Sequence, residues 1–366
     1  MKLTRRSFAR LTAAGIAAAP WAGPAFADTP VAAIIAEGGA AEERIEDTRS
    51  ALDLAINQGC DFIQVNLVPS KEGALVARRA NELSAGTDVA SRPDFADRKT
   101  TKTIDGADVT GWFAEDFTVA ELQSLTCREP HPELHPQNVK LGGKEPVLTL
   151  ADVLQIARAG CVRTARIVGV CVRPMHSAWF QSQGLDVIGR LASDLATAGY
   201  ASPAAAAWVQ ASDPEALKTF GTLSRLRRMQ IIEPADAQMT TAAALGDIRA
   251  YAEAIAAHQD LLLDPAAAAF PAPTTLALDA HNAGLRVFSR TVRPQNQFLP
   301  PALRHGDKRS ASYPSQRGDS DKLLVALFAD QVDGVCTDLT SDAAKARKAV
   351  ADAAAQGRAR NRNPGG

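Results

Sequence analysis

Short apolar runs alternate with amphipathic stretches along most of the chain, and that alternation predicts a strand followed by a helix, repeated. The clearest unit lies near the start. Val31–Ala36 is continuously apolar and ends at Gly38-Gly39, where the backbone can turn sharply. Ala51, Leu52, Ala55 and Ile56 then fall at helical spacing over Thr48–Gln58, with Asp47 or Thr48 as the cap and Gly59 as the stop. A second strand follows at Asp61–Val68, and Gly73–Val76 reads as a short edge strand. Arg166–Val172, apolar after its first residue, reads as a buried strand.

The remainder repeats the alternation. Strands are predicted at Ala206–Gln210, Met229–Ile232, Leu261–Leu263, Arg286–Ser289 and Gly334–Thr337. Helices are predicted at Gly184–Ala198, Pro214–Gly221, Leu245–Ala257, Pro273–Ala283, Asp321–Phe328 and Ser341–Ala354. About eight strand–helix units make an α/β fold with the count of a (β/α)8 TIM barrel. The barrel is predicted over 28–355, with a polar insertion (Thr87–Phe117) after the second or third strand and a mobile loop at Leu299–Ser320. Residues 356–366 read as a disordered tail.

Residues 1–27 stand outside this pattern. Thr4-Arg5-Arg6-Ser7-Phe8 is a twin-arginine motif, followed by the apolar Leu11–Ala19 and by Ala25-Phe26-Ala27, which marks cleavage after Ala27. The apolar run is too short to span ~30 Å of hydrocarbon, so no transmembrane anchor is expected in the mature form. The expected location is periplasmic or secreted. Removing this segment takes away four basic residues and no acidic one, leaving 36 basic against 41 acidic residues and a net charge near −5. Such a balance offers no basic face for nucleic acid. The five cysteines, at 60, 127, 161, 171 and 336, contain no Cys-x-x-Cys pair, which excludes a metal framework; one disulfide is compatible with an oxidising compartment.

Several motifs now add up. Glu37-Gly38-Gly39-Ala40, Glu46-Asp47-Thr48 and Gln64-Val65-Asn66-Leu67 open the chain; Val287–Pro300 and Val332-Asp333-Gly334-Val335-Cys336-Thr337-Asp338 close it. Between them, Gly111–Leu125 and Cys127–Ala157 carry Asp-Phe-Thr and Leu-Thr-Leu helix starts. Together they resemble the periplasmic-type glycerophosphodiester phosphodiesterase family, from Val31 to about Ala344. The resemblance implies a TIM barrel and, in active members, hydrolysis to glycerol 3-phosphate and an alcohol with a bound Ca²⁺ or Mg²⁺.

The frame is kept and the chemistry is changed. In the family the first loop reads His-Arg-Gly-Ala, the second strand Glu-x-Asp-Leu, and two further strand ends supply a second His and a metal-binding Glu. Here Glu37, Gly38 and Arg79 occupy the catalytic positions, and Gln64, Asn66 and Arg173 the metal positions. The amides bring no charge, and Arg173 stays protonated. No metal cofactor and no intact catalytic residue are therefore expected, which makes the chain a degenerate member, a pseudoenzyme. Two arrangements remain open: Glu37, Arg79 and Arg173 as a salt-bridged plug in the former metal site, or Arg79, Arg173 and Arg290 as a pocket for a small phosphate-type anion. Glu46, His176 and Asp338 complete the ligand-binding candidates. The alternative is an active phosphodiesterase whose site is rebuilt from Glu37, Glu46, His176 and the arginines. The sequence names no protein partner.

Overall fold

The structure, a computed structural model, describes residues 32–267, 270–330 and 332–362. In chain order its strands are β1 (Ala33–Glu37), β2 (Phe62–Pro69), β3 (Leu75–Ala77), β4 (Thr100–Ile104), β5 (Ala107–Gly111), β6 (Gly169–Pro174), β7 (Ala207–Ala211), β8 (Arg227–Ile232), β9 (Ala254–His258), β10 (Arg286–Val292) and β11 (Gly334–Thr337). β1, β2 and β6 to β11 form one parallel sheet that closes where β1 pairs with both β2 and β11. With helices between the strands this is a (β/α)8 barrel, the predicted fold. β3 runs antiparallel along β2.

Local chemistry sets the elements. Thr48 caps helix Arg49–Gln58 by accepting from the Ala51 amide, and Gly59 ends it in the left-handed region. Thr118 with Glu121, and Thr149 with Asp152, form capping boxes at the starts of Val119–Ser124 and Leu150–Thr164. A Cβ on Gly39 would lie 2.5 Å from the Ala51 backbone, so only glycine lets the first loop pack onto that helix.

Two apolar layers result. The outer one joins helices to the backs of the strands. The inner one fills the barrel with Ile35, Phe62, Cys171, Trp208, Met229, Ile231, Ala254, Ala256, Phe288 and Cys336. Large rings require small neighbours here: a Cβ on Gly169 would sit 2.4 Å from the Phe62 ring, and one on Gly334 would sit 2.8 Å from Phe288. Trp208 meets Phe288 edge-on at 5.6 Å.

Four expectations change. Leu245–Ala257 was predicted as helix and Leu261–Leu263 as strand; instead a helix ends at Arg249, β9 covers Ala254–His258, and Gln259–Leu262 is helical. Alanine-rich Ala254–Ala257 favours helix locally, but its small side chains fit the barrel interior, and pairing with β8 and β10 overrides propensity. Within the polar insertion, β4 and β5 form a hairpin with Thr101 and Thr110 hydroxyls 2.7 Å apart. The 299–320 loop is fastened: Asn296 Nδ2 donates to the His305 and Tyr313 carbonyls, and Arg317 pairs with Glu42. The last helix continues past Gly357 to Arg362, because its Ala, Gln and Arg residues are helix formers and no proline intervenes.

All five cysteines are free, so the allowed disulfide does not form among them. Arg5, Arg6 and the cleavage motif lie outside the described residues. No described helix is long and apolar enough to cross a membrane.

Candidate functional site

Alternate residues of each strand point into the barrel. Continuing the inner apolar set one step toward the C-terminal ends leads from Ile35 to Glu37, Phe62 to Gln64 (with Asn66 one step further), and Cys171 to Arg173. It likewise leads from Ile231 to Glu233, Ala256 to His258, Phe288 to Arg290, and Cys336 to Asp338. The apolar filling thus gives way to a polar mouth on the face where this fold carries its sites.

Glu37 is the centre of the mouth. Its side chain is 3% exposed, with Arg79 Nη1 at 3.2 Å and Arg290 Nη2 at 3.6 Å from Oε1. Thr291 Oγ1 donates to Oε2 at 2.5 Å. Burial pushes this carboxyl up, but Arg290 and Arg79 outweigh it and hold it well below the ordinary carboxylate range. Arg79 also reaches Glu46, with Nε and Nη2 each 3.1 Å from Oε2. Glu46 is held below its usual value too: burial opposes this, and Arg79 prevails. Glu37, Glu46, Arg79 and Arg290 are therefore one ion-paired lattice.

Its loop is built for that. Gly38 has φ +67° and a Cβ there would meet Glu46 Cβ at 2.9 Å, so a side chain at this position strains the loop unless Glu46 shifts. Asp47, at φ +58°, is buried beside Glu46, and burial followed by that neighbouring charge pushes its carboxyl up to about 8.

Arg173 stands apart. In the predicted plug it shares Glu37 with Arg79; in the structure Arg290 takes that place, while the Arg173 side chain turns from β6 toward the end of β7. Arg173 has no ion-pair partner among the described residues, and its Nη2 donates to Ser212 Oγ at 3.0 Å. Burial, then the nearby Arg290, lowers it to about 10. It shares a cavity of about 320 Å³ with His176, Ser212 and Asp213. His176 does not join the Glu37 lattice: its Nδ1 lies 2.6 Å from Asp105 Oδ2, in the turn of the β4–β5 hairpin.

Gln64 and Asn66 are buried and contact each other at 3.4 Å, while Gln64 Oε1 and Asn66 Nδ2 have no hydrogen-bond partner. With Arg173 in register beside Asn66, these three positions give two neutral amides and a fixed cation. That donor set does not fit Ca²⁺ or Mg²⁺, which need oxygen ligands with negative charge.

Asp338 lies in another group, with Arg293 Nε at 3.4 Å and with Glu42 and His135. The sequence did not single out Glu42, His135, Glu233, His258 or Ser212. Glu233 and His258 are readable by carrying the period of two past each apolar strand. Glu42, His135 and Ser212 sit on loops, where spacing carries no such signal.

Comparison with known proteins places the frame. A model described as the glycerophosphoryl diester phosphodiesterase family matches residues 38–341. Glycerophosphodiester phosphodiesterase GDPD6 of Arabidopsis thaliana is 28% identical over 287 residues, or 72% of this chain and 75% of that protein. Its relative GDPDL6, also from Arabidopsis thaliana, is 26% identical over 86% of this chain, which spans 40% of that longer protein. Among solved structures, an Oleispira antarctica phosphodiesterase in complex with the product sn-glycerol-3-phosphate superposes with TM-score 0.56 at 14% identity, covering 87% of this chain and 97% of that one. A glycerophosphodiester phosphodiesterase from Agrobacterium tumefaciens gives 0.54 at 15%, over 86% and 99%. At that identity the structural likeness speaks for the fold.

Proposed function

The chain belongs to the glycerophosphoryl diester phosphodiesterase family, and from that premise we propose that it is a periplasmic or secreted member that no longer hydrolyses phosphodiesters and instead binds a small phosphate-bearing anion at its barrel mouth. The observation that carries this reading is the Glu37 carboxylate clamped between Arg79 and Arg290.

Hydrolysis in such a site needs a cation to polarise the phosphate and groups that give and take protons near neutral pH. A divalent ion ~4 Å from the Arg173 guanidinium would be opposed by on the order of 8 kcal/mol at an effective dielectric of ~20. Glu37, held ionised by two guanidiniums, is a poor acid, and Arg79, whose pKa Glu46 and Glu37 raise against the effect of burial, is a poorer one. Arg173, with no ion-pair partner, retains donors for a phosphate, and Ser212 and His176 line the same cavity. Twin-arginine export, from Arg5-Arg6, supports the location.

Binding and site frame are tested separately. Millimolar glycerol 3-phosphate is expected to raise the melting temperature of the wild type and not that of Arg173→Ala; an unchanged wild-type value removes the anion site. Glu37→His, Gln64→Glu, Asn66→Asp, Arg79→His and Arg173→Glu, combined and leaving Gly38 as it is, are expected to create Ca²⁺ binding by calorimetry. No heat of binding from that folded variant would contradict the placement of these positions.

A further inference from the structure

We propose that Glu42, His135 and Asp338 form a binding site for a divalent transition-metal ion, distinct from the positions of Gln64, Asn66 and Arg173. Glu42 lies on the loop after β1, His135 on the long loop that precedes Leu150–Thr164, and Asp338 directly after β11. They are 7%, 7% and 4% exposed, and one ligand atom from each lies within 4.8 Å of the others.

Two observations point to a ligand beyond mere clustering. Among the described residues, Asp338 Oδ1 is buried without a hydrogen-bond partner, a condition native interiors seldom leave unanswered, and His135 Nε2 faces only the Glu42 carboxylate, 3.3 Å away. The other ring nitrogen, His135 Nδ1, lies 3.1 Å from Glu129 Oε1, and Glu129 Oε2 in turn accepts from Asn138 Nδ2 at 3.2 Å. A carboxylate behind one imidazole nitrogen is the arrangement that fixes the tautomer and aims the other nitrogen's lone pair at a metal.

The surrounding groups leave those lone pairs available. Arg317 pairs with Glu42 Oε1, Gln295 Nε2 donates to Glu42 Oε2 at 3.1 Å, and Arg293 Nε lies 3.4 Å from Asp338 Oδ2. Asp338 Oδ1, His135 Nε2 and the second lone pair of Glu42 Oε2 remain. One imidazole and two carboxylates suit a borderline ion such as Zn²⁺; Ca²⁺ takes about six to eight oxygens. Tetrahedral Zn²⁺ with ligands at about 2.1 Å holds its donors about 3.4 Å apart, so uptake draws the three groups together by on the order of 1 Å. A cavity of about 560 Å³ lined by Glu42, Asn138, Arg317 and Leu339 reaches the Glu42 side of the group. The competing occupant is a proton held between His135 Nε2 and Glu42 Oε2, which are 3.3 Å apart.

The test is calorimetric titration of the chelator-treated full chain with ZnCl₂, together with Co²⁺ absorption as a readout of an ordered inner coordination shell. The wild type is expected to take up one Zn²⁺ per chain and to give Co²⁺ ligand-field bands. Asp338→Asn, nearly isosteric, is expected to lose more than about tenfold in Zn²⁺ affinity and to lose those bands, and Glu129→Gln to lose about tenfold. His135→Gln should behave as Asp338→Asn, and if it fails to fold the Asp338 variant decides. No saturable uptake by the wild type, or an Asp338→Asn affinity equal to it, overturns the site and leaves the proton in place.

Discussion

The floor and the mouth of the barrel are built from the same strands and differ by one inward step. On the floor Phe62, Trp208, Met229 and Phe288 interlock with Gly169 and Gly334, so each residue is constrained by the volume of its neighbours. At the mouth the next inward residues are Gln64, Arg173 and Arg290 together with Glu37, with Asn66 one step beyond Gln64. Those residues must balance charge, and several sets of side chains can do that. This separation means that mouth residues can be exchanged as a charge-balanced set without disturbing the packing beneath them.

Substitutions should separate the two regions by size and by kind of effect. Trp208→Ala on the floor leaves a cavity and is expected to cost about 3–5 kcal/mol in chemical denaturation, the largest effect of any single change named here. Arg79→Ala at the mouth uncovers Glu37 and Glu46, and because the Arg79 side chain is 30% exposed the expected cost is smaller, about 2 kcal/mol. Adding Glu37→Gln and Glu46→Gln to Arg79→Ala should recover most of that loss. Failure to recover would mean that packing, rather than charge balance, governs the mouth.

Asp47 gives an intermediate effect with a defined sign. Its carboxyl is raised from 3.8 to about 8 in the fold, so the native state holds more protons than the unfolded chain across that window. Its contribution to stability is therefore present below pH 3.8, declines as pH rises through the window and is fully lost above about 8. Asp47→Asn removes that dependence and also suits φ +58°. Its melting temperature should exceed wild type by at least about 2 °C at pH 8, and by less at pH 5. The smallest loss of stability belongs to Arg173→Ala, which breaks no ion pair and removes a cation that burial and Arg290 disfavour; denaturation should show the variant at least as stable as wild type. Its loss should appear in ligand binding alone.

What could be read from the sequence divides along the same line. Strand–helix order, the caps at Thr48, Thr118 and Thr149, and β11 at Gly334–Thr337 are carried by local pattern, which is why they match the structure. β9 was missed because Ala254–Ala257 holds no β-branched side chain except Ile255, and only its neighbours make it a strand. At the mouth, the resemblance located Glu37, Arg79 and Arg173, but β6 and β10 each lie two strands from β1, so which arginine closes on Glu37 is decided by side-chain direction. Residue identity alone cannot choose between Arg173 and Arg290. The Glu42, His135 and Asp338 group joins three segments distant in sequence, so no spacing announces it.

The most direct measurement is release of glycerol 3-phosphate from glycerophosphocholine by the purified full chain in chelator, in Ca²⁺, in Mg²⁺ and in Zn²⁺. A mouth sealed by the Glu37–Arg79–Arg290 lattice predicts no turnover above a boiled control in any of them. Turnover that the chelator abolishes and a metal restores would contradict that account and show a working hydrolytic centre in this barrel.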